Sequence, residues 1–288
     1  AGRQAGRAPL LDRRHDGLAG GLQVIQRRLG AAHHCVHEVA IGFDHRGNKI
    51  YVQAVNWVWA VFDPASGVRL FGPTVIDSFW TGFIDECVAD LGANEFPDGD
   101  PIVLYDDYAG RWVFAQFAVN AGLICVAVSE TSDPLGSYHR YAFQIASDPG
   151  TADYPKLGVW PQAPEDGGES GIPNQSSYAL TTRNFPFSNE AFAQSTLLER
   201  DAMLAGDPAP QLVTVSHPCT IFPTGCEVEG QVPPHFAGPP PPFGTCPTFV
   251  TIRDRQFDDF NRTSDGALLH RICADWEDPP SSTIVQGF

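Results

Sequence analysis

Lysine is nearly absent: of 18 basic residues 16 are arginine, and only Lys49 and Lys156 are lysine. Positive charge as a whole is short, 18 basic against 34 acidic residues, for a formal charge of −16. Such a chain repels a nucleic-acid backbone or an anionic membrane surface, so nucleic acid is excluded as the main partner. Long apolar runs are missing too. The longest, Val55 to Phe62, is far below the roughly twenty residues of a membrane helix, and no membrane span is expected. There is no Cys-x-x-Cys, no Gly-x-Ser-x-Gly elbow, no phosphate loop and no dinucleotide fingerprint. Serine hydrolase, kinase and Rossmann readings therefore lack support. The sequence opens at Ala1 without a methionine or the apolar core of a secretion signal, so any export signal is expected to have been removed or to lie outside it.

Glycine and proline are abundant, 28 and 25 of 288 residues. That frequency demands tight turns and forbids many long helices, which favours an all-β fold. From Ile50 the pattern becomes short strands between turns. Tyr51–Asn56 alternates, Trp57–Phe62 continues it, and Asp63-Pro-Ala-Ser-Gly67 is a turn. The grammar recurs at Ile102–Tyr105, turn 106–110, Arg111–Phe117, and again at Ile124–Ser129, turn 133–136, Tyr138–Ile145. Further strands are expected at Leu157–Trp160, Ser177–Thr182 and Phe192–Leu198. A strand grammar with a period in the forties predicts a β-propeller of about five or six blades, complete or incomplete, with a sandwich as the rival. Helix is confined to short pieces, chiefly Asp201–Ala205, stopped by Gly206 and Pro208. Residues 1–47 read as an atypical Arg-rich segment, set apart from the fold, since six arginines meet only Asp12 and Asp16 in the first 28 residues. Residues 48–288 read as the propeller domain, with a Pro-rich surface loop or linker at 217–247.

Seven cysteines in a Pro-rich acidic chain suit an oxidising compartment, so a secreted or cell-surface location is expected. Cys219 and Cys226 close a short Pro-Thr-Gly loop that suits a disulfide, and Cys87 with Cys125 is the next candidate pair. Cys35 is the expected unpaired thiol. An alternative for His217, Cys219, Cys226, His235 and Cys246 is a zinc site.

The segments Gly99-Asp-Pro-Ile-Val-Leu-Tyr-Asp106, Arg111-Trp112, Cys125-Val-Ala-Val-Ser129, Asp133-Pro-Leu-Gly-Ser137 and Asp153-Tyr-Pro-Lys-Leu-Gly-Val-Trp-Pro161 resemble a group of exported bacterial β-propeller-like proteins of unassigned function. The resemblance runs from about Tyr51 to Leu204, with an echo at Asp275–Pro279. It implies the propeller fold and export, and no activity. A more distant likeness, to sialidase-like and arabinanase-like glycosidases, concerns architecture.

Asp100 and Asp153 each precede an apolar strand, and a propeller gathers such strand openings at the rim of its central channel. Two carboxylates there would raise each other's pKa and suit acid–base work on a glycosidic bond, with Asp85, Glu86 or Glu190 eligible as partner. The competing role for each Asp is to cap its loop through backbone N–H groups. Tyr154 and Lys156 supply a hydroxyl and a cation suited to a ligand carboxylate or sulfate, or Lys156 simply pairs with a neighbouring acid. Asn56 completes the ligand-contact candidates, and Trp112 and Trp160 either stack on a sugar or pack between blades. The run His33-His34-Cys35-Val36-His37-Glu38 looks metal-binding but lacks a metallohydrolase spacing. Calcium is a possible cofactor at Asp98-Gly-Asp100 or Asp258-Asp259, where solvated turns compete. The resulting expectation is a binding module for an extracellular glycan or other surface polymer. A glycoside hydrolase-like enzyme and a structural fragment of a larger surface protein are the alternatives.

Overall fold

The computed structural model describes residues 37–56, 58–84, 87, 99–119, 121–146, 150–164, 173–186, 192–220, 225–226, 231–253 and 265–287. Four antiparallel sheets follow one another along the chain, each a simple meander. The first holds β1 (His37–Phe43), β2 (Lys49–Val55), β3 (Val58–Phe62) and β4 (Arg69–Val75). The second holds β5 (Ile102–Asp106), β6 (Arg111–Ala118), β7 (Leu123–Ser129) and β8 (Tyr138–Gln144). The third runs β9 (Gly150–Trp160), β10 (Ser177–Pro186), β11 (Phe192–Glu199), β12 (Leu212–Thr220) and the two-residue β13 (Gly225–Cys226). The fourth holds β14 (Thr248–Arg253), β15 (Gly266–Cys273) and β16 (Thr283–Gly287). None of the four closes on itself. Helix α1 (Arg200–Ala205) buries Met203 and ends at Gly206, whose φ of 76° is the left-handed stop its sequence predicts.

Aspartates set the turns. Asp44 accepts from the backbone N–H of Arg46 and Asn48, both at 2.8 Å, and Asp63 from that of Ala65 at 2.8 Å. Asp106 does the same for Tyr108 and Ala109, and Asp133 for Leu135. Each replaces a backbone acceptor where the chain reverses, which is why meanders form at these positions.

The sheets stack face to face in chain order, and the two-residue period decides which side chain faces which neighbour. In the second sheet Val113, Ala115, Phe117, Ile124, Val126 and Val128 pack against the third sheet. Trp112, Phe114, Ala118, Cys125 and Ala127 point the other way, into the first. Both faces are covered, so these strands read as nearly continuous apolar runs. A disulfide between Cys87 and Cys125 fastens the connection that follows the first sheet onto β7. A second joins Cys246 to Cys273, which removes Cys246 from any zinc site.

Three departures from the sequence reading have local causes. The run Tyr51–Phe62 is two strands, because Asn56 takes a φ of 45° and reverses the chain. The first strand, His37–Phe43, lies within the segment set apart as atypical, and pairs along its whole length with β2. The Pro-rich segment is packed where it is described, with no free linker at that stretch: Phe236 N–H donates to Val159 O at 2.9 Å, and Trp160 Nε1 donates to Thr245 O at 2.9 Å.

Candidate functional site

Stacking the meanders brings their first strands together, β1 beside β5 and β5 beside β9. All three run in the same sense from a shared end, so whatever opens them collects there. Glu38 is the second residue of β1, Asp100 stands two residues before β5, and Asp153 and Lys156 are the fourth and seventh of the eleven residues of β9.

Electrostatics tie the four together. Burial pushes the Glu38 carboxyl above its ordinary range, the charge of Asp100 pushes it further, and Lys156 opposes both. Asp100 is raised by burial and then by the charge of Asp153. No hydrogen bond to the Asp100 carboxylate offsets this among the described residues. Asp153 does cap, accepting from the Tyr154 N–H at 2.7 Å.

The backbone is strained at the same end. Among the described residues the non-glycine positions with positive φ are Asn56 at 45°, Asp100 at 51° and Tyr154 at 49°. Holding a side chain in this region costs on the order of 1–3 kcal/mol, and such strain gathers at ligand sites. At Tyr154 the cause is a bulge: the register of β9 on β10 passes from Lys156 opposite Thr181 to Asp153 opposite Arg183. The extra residue turns Tyr154 out, leaving it 62% exposed.

The sequence therefore placed Asp100, Asp153, Tyr154 and Lys156 in one region, and Asn56 at the same end of its sheet. Trp112 does not belong there. It is wholly buried between the first two sheets, with Nε1 donating to Ser132 O at 3.0 Å. Trp160 lies at the far end of β9, edge-on to Phe236. Glu38 was missed as a site residue because it was read only within a histidine-rich run. The alternation of Val39, Ile41 and Phe43 after it was the available sign of a first strand. Cys219 faces Cys226 in the register of β12 on β13, as a disulfide there requires of the backbone. Asp85, Glu86, Asp98, Glu190, His33 to Val36, Asp258 and Asp259 lie outside the described residues. Among those described, no group of three or more His, Cys, Asp or Glu is placed to hold a metal ion.

A second polar group sits between the third and fourth sheets. Ser195 Oγ lies 3.1 Å from His217 Nε2 and donates to Gln231 Oε1 at 2.7 Å, while the His217 and His270 rings stand 4.5 Å apart. Burial, and then His270, lower the His217 pKa to about 4. Ser195 has no exposed surface, so this is a tie between sheets and not a nucleophile with its base.

Comparison with protein-family models, with curated proteins and with solved structures gives no match for this chain. The reading of the site rests on its own chemistry.

Proposed function

We propose that the chain is a β-propeller-type binding module for an extracellular carbohydrate, taken up where the first strands of the sheets converge. Four consecutive meanders stacked in chain order support the propeller reading, and two disulfides with the absence of a spanning helix among the described residues are compatible with export. The observation that carries the functional reading is the coupled set Glu38, Asp100, Asp153 and Lys156 at one end, beside the exposed ring of Tyr154. Carboxylates accept hydrogen bonds from sugar hydroxyls, an exposed ring covers a sugar face, and a net negative rim selects neutral or aminated sugars over acidic ones.

A hydrolytic reading has one observation in its favour. Asp100 is held towards its protonated form by burial and by Asp153, as a general acid requires. One experiment separates the two. Purified protein is screened against neutral, aminated and acidic polysaccharides, and every ligand bound is then assayed for new reducing ends. Binding without cleavage, weakened about tenfold or more in Asp100→Asn, is the expected result. Release of reducing ends lost in Asp100→Asn would establish the hydrolase instead, and binding indifferent to Asp100, Asp153 and Tyr154 variants would refute the site.

A further inference from the structure

A second cavity opens at the outer margin of the first two sheets and shares no residue with the carboxylate cluster. It encloses about 390 Å³ between β3, β4 and the turn that precedes β8, within the roughly 300–1,000 Å³ of small-molecule sites. Trp59, Phe71, Phe79 and Tyr138 form its aromatic wall, Leu135 stands at the turn, and Arg140 supplies the charge.

Arg140 is the unusual member. In a chain with 34 acids, no carboxylate pairs with it among the described residues. Its Nη1 donates to Phe79 O at 3.3 Å and Thr81 O at 2.8 Å, and its guanidinium lies 5.3 Å from the centre of the Phe83 ring. These contacts hold the side chain in place, so little conformational entropy is left to lose on binding. Nε and Nη2 keep hydrogens that meet no acceptor among the described residues, in the fork that matches a carboxylate. The wall is equally ordered: Trp59 packs 4.8 Å from Phe79, and Phe79 lies 5.1 Å from Tyr138 edge-on.

We propose that this cavity binds a small organic acid with an aromatic body, its carboxylate on Arg140 and its ring against Phe71, Phe79 and Leu135.

Phenylacetate and its uncharged counterpart phenylacetamide are the probes, measured by calorimetric titration and ligand-observed NMR at neutral pH. Two variants accompany them. Arg140→Gln removes the cation. Leu135→Glu, at a position 48% exposed, sets a negative charge at the rim without touching the core. Saturable binding of phenylacetate is expected, about tenfold or more weaker for phenylacetamide, and weakened at least as much in either variant. Thermal stability of Leu135→Glu should match the parent chain, so that variant decides the matter even where Arg140→Gln loosens the adjoining turn. No saturable binding up to about 10 mM, equal affinity for acid and amide, or indifference to Leu135→Glu would each overturn the proposal.

Discussion

Asp106 is the point at which the stacking of sheets can be tested with a single side chain. It ends β5 with no exposed surface, and its carboxylate accepts from Arg200 Nε at 2.6 Å, Arg200 Nη2 at 3.0 Å and the Tyr178 hydroxyl at 3.0 Å. Two turn amides complete the set at 3.2 Å each. Burial alone would lower the Arg200 pKa, but Asp106 reverses this and raises it, and burial with the Asp106 charge holds the Tyr178 hydroxyl far above its ordinary value. Asp106→Asn keeps the shape and removes the charge, leaving a guanidinium that is 8% exposed with only the half-exposed Asp201 carboxylate, 3.2 Å away, as counter-charge. Breaking a buried pair from one side costs about 3–5 kcal/mol, about a fifth or more of the roughly 5–15 kcal/mol that holds a domain together. Urea unfolding followed by tryptophan fluorescence reads it directly. Replacing both partners, Asp106→Leu with Arg200→Met, should recover much of the loss, because no uncompensated charge remains. A loss below about 1 kcal/mol in Asp106→Asn would refute the reasoning, since surface pairs behave that way and buried ones do not.

Acid should loosen the contact between the third and fourth sheets. His217 has an ordinary pKa of 6.5 lowered to about 4 by burial and by His270, so between these values the unfolded chain binds the proton and the folded chain does not. Stability then falls as pH drops from about 6.5 to 4, by on the order of 3 kcal/mol at most, and levels off below. Glu38 and Asp100, whose pKa values are raised, act in the opposite sense, so the test is the difference in pH profile between the parent chain and His217→Gln; superimposable profiles would refute it. Gly158→Ala should destabilise by about 1–3 kcal/mol and free the Pro-rich segment to limited proteolysis, because a Cβ there overlaps the backbone carbonyl of Pro234. An unchanged urea midpoint would mean that this segment does not rest on β9.

The sequence made visible those parts of the fold that rest on local chemistry. Asp63, Asp106 and Asp133 announce their turns because each spends its carboxylate on backbone N–H groups within three residues. Strands β5 to β8 were legible from their apolar runs and turns, and α1 from Gly206. What stayed hidden depends on partners distant in sequence. Strand β4, Arg69–Val75, has no fully buried residue to mark a core face. The bulge that turns out Tyr154 exists only in the pairing of β9 with β10. Asp100 and Asp153 were read from their strand openings, yet Glu38 joins them only through the adjacency of β1 and β5. Trp112 has the composition of a sugar platform, and its burial comes from the first sheet lying across it.

The three sheet contacts differ in kind, and the difference explains where acid acts. The first two are dominated by apolar side chains, Trp59, Phe79, Trp112 and Phe114 in one and Val126, Tyr141, Phe143 and Leu180 in the other, with Asp77 and Gln116 buried in the first and the Asp106–Arg200 pair in the second. The apolar part of their cohesion scales with buried area and is indifferent to protonation. The third has only a small apolar cluster around Leu197, Phe249 and Ile272 among the described residues. Buried polar side chains fill the rest: Thr181, Ser195, His217, Gln231, Thr251 and His270. Such a contact fixes orientation through directed hydrogen bonds and is strong only while its groups stay paired and uncharged. The fourth sheet has further anchors that compensate. Gln175 accepts from the Ala274 N–H at 2.7 Å and donates to the Ala274 carbonyl at 2.9 Å, and the Cys246–Cys273 bond holds β15 to the segment before β14. Protonating His217 therefore strains the contact that hydrophobic burial secures least, while the first three sheets, where Glu38, Asp100 and Asp153 converge, keep the larger apolar clusters, whose own cohesion pH does not alter.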